Sequence, residues 1–169
     1  MEKHSIENWF QDFESDVTNF LVYFTGTVEV EDLVQDTFYI ALQKLSKYKE
    51  DSHPKTWLIA IARNLVIDRY RRNQVWERIK YYLTTEQSLK NDIENSLIKS
   101  FEYSLLSKAI QQLSPPYKEV VILRGIMEMS PKEVSTVLRC SQNKVNVIYH
   151  RALKKIKVKL EAEGFHYEV

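Results

Sequence analysis

The stretch "SQNKVNVIYHRALKKIK", residues 141–157, places Gln142, Asn143, Lys144 and Asn146 ahead of His150, Arg151, Lys154, Lys155 and Lys157. Amide side chains can pair bidentately with adenine, and lysine can meet guanine or a phosphate, so this order suits reading a duplex through its major groove. The later cations would hold phosphates, which fixes register without selecting sequence. A second basic run, "TWLIAIARNLVIDRYRR" at residues 56–72, combines Arg63, Arg69, Arg71 and Arg72 with Trp57 and Tyr70. That interleaving suits unpaired DNA, where a base stacks on a ring while the backbone follows the charge. A tryptophan so near a helix start belongs more often to the core.

These side chains need helices to present them. "SPKE" at 130–133 is a capping box with Pro131 at the first helical position, and it opens a short helix to Leu138. After "RC", Ser141 can cap a second, longer helix whose apolar positions Val145, Tyr149, Ala152, Ile156 and Leu160 repeat at threes and fours. Two helices joined by about three residues, the second basic, form the pattern of a helix-turn-helix. For the other run, Pro54 breaks the preceding pattern and Thr56 can cap a helix to Arg72. On it Asn64, Asp68 and Arg71 share one face, while Leu58, Ile61, Ala62 and Leu65 can face a core.

Charge is segregated along the chain although the net is only +1. Residues 1–52 hold four basic and eleven acidic side chains, net −7, whereas 53–80 hold seven basic and two acidic, net +5. Residues 131–160 carry eight basic residues against Glu133, net +7. One such block is as readily a solvated face as a binding surface; two, each tied to a helix, point to a polyanion.

The 169 residues include three glycines and four prolines, which favours an all-α fold over a sandwich. Ile6 to Phe24 and Val30 to Leu45 show helical periodicity and complete a three-helix N-terminal domain with the helix opened near Thr56. The second of these turns Asp32, Gln35, Asp36 and Tyr39 outward. Helical rhythm resumes at Leu105, and "SPP" at 114–116 ends one helix and starts another, Tyr117 to about Gly125. The expected organisation is therefore a domain over 1–75, a polar linker over 76–104, a helix-turn-helix domain over 105–160 and a tail over 161–169.

No apolar run approaches the roughly 20 residues that span a bilayer, and the start lacks a signal-peptide core, so a cytoplasmic protein without membrane insertion is expected. The lone Cys140 excludes an internal disulfide and is expected as a small buried hydrophobe. His4, His53, His150 and His166 are too scattered for metal-ligand spacing, and no metal or other cofactor is expected. No nucleophile with a base and orienting group, and no glycine-rich phosphate cradle, can be assembled, so the chain does not read as an enzyme.

The run "EDLVQDTFYIALQKLSKYKEDSHPKTWLIAIARNLVIDRYRR" resembles region two of bacterial extracytoplasmic-function (ECF) sigma factors. "LSPPYKEVVILRGIMEMSPKEVSTVLRCSQNKVNVIYHRALKKI" resembles their region four, in the same order. "DLVQDTF", "TWLxxIARN" and "HRALKK" together carry the resemblance. It implies a sigma factor that directs RNA polymerase core to promoters and begins strand separation. The face at Asp32, Leu33, Gln35, Asp36 and Tyr39 would dock on the basic clamp helices of the β′ subunit, and region four on the β flap. Ser52, His53, Lys55, Trp57, Arg63, Asn64, Arg71 and Arg72 would engage the minus-ten element, with the loop at 50–54 cradling an extruded base. Asp68 would hold neighbouring arginines in place. Gln142, Asn143, Lys144, Asn146, His150, Arg151 and Lys154 would engage the minus-thirty-five element. An anti-sigma factor is the implied regulator.

Arg139 stands where the family's turn often has glycine, so a left-handed residue there would be strained. Val147 and Ile148 replace a frequent serine and arginine, and Cys140 an aliphatic residue. The competing classes are a helix-turn-helix repressor with an N-terminal dimerisation or ligand domain, and a nucleic-acid-processing enzyme.

Overall fold

The computed structural model describes residues 5–83 and 105–165, with side chains described for 5–75 and 105–165. Positions 84–104 of the expected linker, the tail beyond 165, His4 and His166 lie outside the described residues. Those described form α1 (Ile6–Thr25), α2 (Glu31–Lys44), α3 (Pro54–Leu83), α4 (Leu105–Gln111), α5 (Pro115–Val121), α6 (Pro131–Leu138) and α7 (Gln142–Ala162), and no strand is found among them. A 3-10 turn, Leu45–Lys47, follows α2, and a π-helical turn, Ile122–Ile126, follows α5.

The first three helices pack on each other pairwise. Trp9, Val17, Phe20 and Leu21 of α1 meet Leu33, Val34, Phe38 and Ala41 of α2 and Leu58, Ile59, Ala62 and Val66 of α3, all buried. The spacings of three and four that suggested helices are those that align one apolar stripe per helix. In the C-terminal half α7 is the central element and packs on α4, α5 and α6 through Val145, Ala152, Ile156 and Leu160.

Three local expectations are corrected. Thr56 does not cap α3, because the helix begins at Pro54 and the ring Nδ1 of His53 accepts the Lys55 N–H at 3.2 Å. Proline is pre-set for a first helical turn, and His53 before it can act as the cap. The helix also continues past Arg72 to Leu83, so 76–83, expected as linker, is helical. The helix expected over Tyr117–Gly125 instead ends as α at Val121 and continues as the π-helical turn.

Joined helical domains leave open whether the domains touch. Here they do, with α3 packed against α6 and α1 against both α4 and the π-helical turn. Gly26 closes α1 with φ 77°, a left-handed value that glycine adopts freely, and a Cβ there would stand 3.0 Å from Cδ of Gln111. Among the described residues no helix is long and apolar enough to cross a membrane.

Candidate nucleic-acid interface

The helix-turn-helix is built by its caps. Ser130 Oγ accepts the Glu133 N–H at 3.2 Å while Glu133 Oε2 accepts the Ser130 N–H at 2.7 Å, closing the predicted box at α6. Ser141 Oγ then accepts the Lys144 N–H at 3.2 Å and starts α7. Burial of Val145, Ala152, Ile156 and Leu160 against the domain turns the opposite face out, so Gln142, Asn143, Lys144, Asn146, His150, Arg151 and Lys154 are all exposed. Tyr149, expected as core, is half-buried under the Arg124 guanidinium, 5.2 Å from the ring centroid, and Arg124 Nη1 donates to the Met129 carbonyl at 2.8 Å. Cys140 is half-buried rather than fully buried.

The turn contains the expected strain: Arg139 has φ 52° and ψ 50°. A left-handed non-glycine residue costs roughly 1 kcal/mol, so Arg139→Gly should raise stability by up to that amount. For a chain of this size the melting temperature should rise by about 2–4 °C, measured by calorimetry. A fall would mean that the exposed guanidinium contributes more than its backbone costs.

On α3 the distal cations are free for a ligand. Tyr70, Arg71 and Arg72 are exposed, and so are Asn64 and Asp68. Beside them Arg69 is held by a carboxylate, its Nη2 3.0 Å from Asp36 Oδ2 on α2, so the holding role expected of Asp68 falls to Asp36. Asp36 is thereby only half-exposed. Arg63, expected at DNA, is mostly covered and pairs instead with Glu119 of α5 at 3.0 Å.

At the start of α3, Trp57 is half-buried in an aromatic cluster, its centroid 5.9 Å from Trp9 and 5.1 Å from Tyr48. It belongs to the packing of this corner, as tryptophans near helix starts usually do. The Tyr48 hydroxyl donates to the Ser52 carbonyl and ties down the loop before α3. Burial, with Glu50 and Asp51 nearby, pushes the Tyr48 phenol up from its usual range. His53 is exposed with its ring 5.5 Å from Phe13, and Lys55 lies 3.6 Å from Asp16.

On α2, Asp32, Gln35 and Tyr39 face solvent, with Tyr39 61% exposed. Leu33 is 7% exposed and is part of the core, which removes it from the expected docking face. Its place in the 3–4 repeat with Val34 and Phe38 was the available signal. Exposed Leu42 and Phe10 flank Tyr39, so an apolar groove adjoins the acidic face.

Residues between the domains escaped the sequence reading. Glu119 is 7% exposed although it is charged, and the only hint was its place beside the apolar run that follows it. Lys118 donates to Gln111 Oε1 at 2.6 Å and sits 5.4 Å over the Phe24 ring, while Gln111 Nε2 donates to the Tyr23 carbonyl. Burial lowers the Lys118 amine from its usual range, against the opposing pull of Glu119. The Thr56 hydroxyl, fully buried, donates to Glu133 Oε1 at 3.3 Å. Burial disfavours ionised Glu133, but the Ser130 N–H and hydroxyl, the Thr56 hydroxyl and the Lys55 charge outweigh it, and its carboxyl is held below the usual range.

An exposed, capped, basic helix after a short turn, with a second basic helix on a separate bundle, defines a two-domain helical protein of the helix-turn-helix class. Residues 9–75 match the family model for sigma-70 region 2, and residues 103–156 match that for sigma-70 region 4. The chain belongs to the sigma-70 family and is an ECF sigma factor. It is 31% identical over 163 residues to the RNA polymerase sigma factor YlaC of Bacillus subtilis, covering 92% of this chain and 91% of that protein. To the ECF RNA polymerase sigma factor SigX of the same organism it is 29% identical over 161 residues, covering 90% and 81%. The solved sigma factor RpoE of Bartonella quintana, in complex with the anti-sigma factor NepR, shares the fold with a TM-score of 0.75 at 21% identity, covering 92% of this chain and 96% of that one.

Proposed function

We propose that this chain binds RNA polymerase core in the cytoplasm, carries it to promoters and starts opening the minus-ten element, without catalysing a reaction of its own. The observation that carries this reading is the pairing of one capped, exposed helix end, with Gln142, Asn143, Lys144 and Asn146 outward, with a second exposed cluster at Arg71 and Arg72 in the other domain. One protein can thereby hold a duplex at one place and its separating strands at another. The N-terminal end of α7 reads the minus-thirty-five bases with Gln142, Asn143, Lys144 and Asn146, while His150, Arg151 and Lys154 lie along the backbone.

Asn64, Arg71 and Arg72 track the minus-ten strand, and Ser52, His53 and Lys55 line the loop for an extruded base. Trp57 forms a wall of that corner through its ring cluster. Unstacking a base costs a few kcal/mol, which phosphate-binding arginines and ring contacts must offset. Asp32, Gln35 and Tyr39, with Asp36 beside them, form the docking face for the β′ clamp helices, and the C-terminal domain meets the β flap. An anti-sigma factor that covers these faces is the expected regulator, as the Bartonella complex suggests.

The test is run-off transcription with purified core on DNA enriched from a random promoter pool. Specific transcripts that require the chain are expected. A chain that binds operator DNA as a two-fold dimer, with no affinity for core, would instead be a repressor.

A further inference from the structure

The solvent side of α7 carries an apolar group at its reading end. Val145, Ala152 and Ile156 bury one stripe of the helix, and at about 100° per residue Val147 stands nearly opposite that stripe. Ile148 and Tyr149 lean back on the core, whereas Val147 is 48% exposed. A lone exposed valine needs no explanation on most surfaces. This one is ringed by side chains that the proposed function turns toward bases and phosphates. Asn143 and Lys144 lie one turn before it, His150 and Arg151 one turn after, and Asn146 beside it, all exposed. Valine is also a weaker helix former than glutamine or lysine, so neither packing nor helix propensity accounts for it here.

What such a group can meet in a major groove is narrow. Base edges there offer hydrogen-bond donors and acceptors and one apolar feature, the C5-methyl group of thymine. Bringing that methyl against a branched aliphatic side chain removes both from water, which is favourable and requires no alignment of donor with acceptor. Cβ atoms three or four positions apart on a helix lie roughly 5–6 Å from each other, and stacked pairs about 3.4 Å. A thymine under Val147 therefore falls one or two pairs from the base that Asn143 reads.

Resting on the sigma-factor reading above, we propose that Val147 is a specificity-determining residue for the upstream element, its γ-methyl groups contacting the C5-methyl group of a thymine. Asn143 and Asn146 select adenine by paired hydrogen bonds. Val147 separates thymine from cytosine at a neighbouring pair, a distinction that cations held at phosphates do not make.

The test uses the full chain with purified core on a promoter that this holoenzyme has selected from a random pool. Each thymine of the upstream element, on either strand, is replaced in turn by deoxyuridine, which pairs alike and lacks only the methyl group. At least one replacement should weaken binding by about three- to fivefold, the effect of one buried methyl. In Val147→Ser, a change to similar helix propensity at an exposed position, that loss should vanish. Taking the ratio of the two duplexes within each protein cancels any change in overall affinity. An element without thymine, an element indifferent to every replacement, or losses that all survive Val147→Ser overturn the contact.

Should Val147→Ser lose its thermal transition, Val147→Ala, a better helix former that also lacks both γ-methyl groups, is read in the same way. If core does not bind, the full chain alone is measured on a duplex that it has selected itself. Methyl-dependent binding through Val147 without initiation supports the contact and sinks the sigma-factor reading, whereas initiation indifferent to the methyl group sinks the contact alone.

Discussion

Replacing Asp32 with lysine and Tyr39 with alanine together should weaken binding to polymerase core by about a hundredfold, roughly 3 kcal/mol. Reversing a charge that faces a basic partner sets like charges together, and an aromatic at the centre of a docking face commonly contributes 2 kcal/mol or more. Both side chains are exposed, and Tyr39 adjoins the apolar groove beside Phe10 and Leu42, so the fold should not suffer. Competition against labelled parent protein for purified core measures the effect. Upstream-element binding by the same variant must stay unchanged, and equal core affinity would remove α2 from the docking face.

Asp36 is less suited to this experiment despite lying on the same helix. Its exposed pair with Arg69 is worth at most about 1 kcal/mol, but reversal would set two cations together and confuse docking with repulsion inside the domain. Sequence spacing treats Asp32 and Asp36 alike; the partner on α3 separates them.

The second large effect concerns Arg71 and Arg72. Changing both to glutamate should reduce run-off initiation by about a hundredfold and lower the salt dependence of single-strand binding by a slope of roughly 1.4, two phosphates at 0.7 each. Both are exposed, so the melting transition should move by no more than about 0.5 kcal/mol. Loss of stability without loss of salt slope would make these arginines structural. Arg63, clamped to Glu119, would not give so clean a result.

Much of this molecule is local and was therefore legible in the chain. The box at Ser130 and Glu133, the cap at Ser141 and the apolar repeat of α7 involve residues three or four apart, whose relation any helix fixes. The same periodicity put Gln142, Asn143, Lys144 and Asn146 outside, because Val145 and Ala152 had to be inside. Where a local signal was ambiguous it misled: His53 took the cap expected of Thr56, and Leu33 was placed both in the apolar repeat and on the docking face.

The residue types and their spacing alone determined an all-helical chain, its capped helix-turn-helix and the separation of acidic from basic faces, since each follows from helix geometry over a few positions. Only the tertiary structure decided which charges meet. Arg63 and Glu119 lie 56 positions apart and Thr56 and Glu133 lie 77 apart, and no periodicity links such pairs. Their meeting depends on how two finished domains pack, where shape and desolvation outweigh any preference written in a single helix.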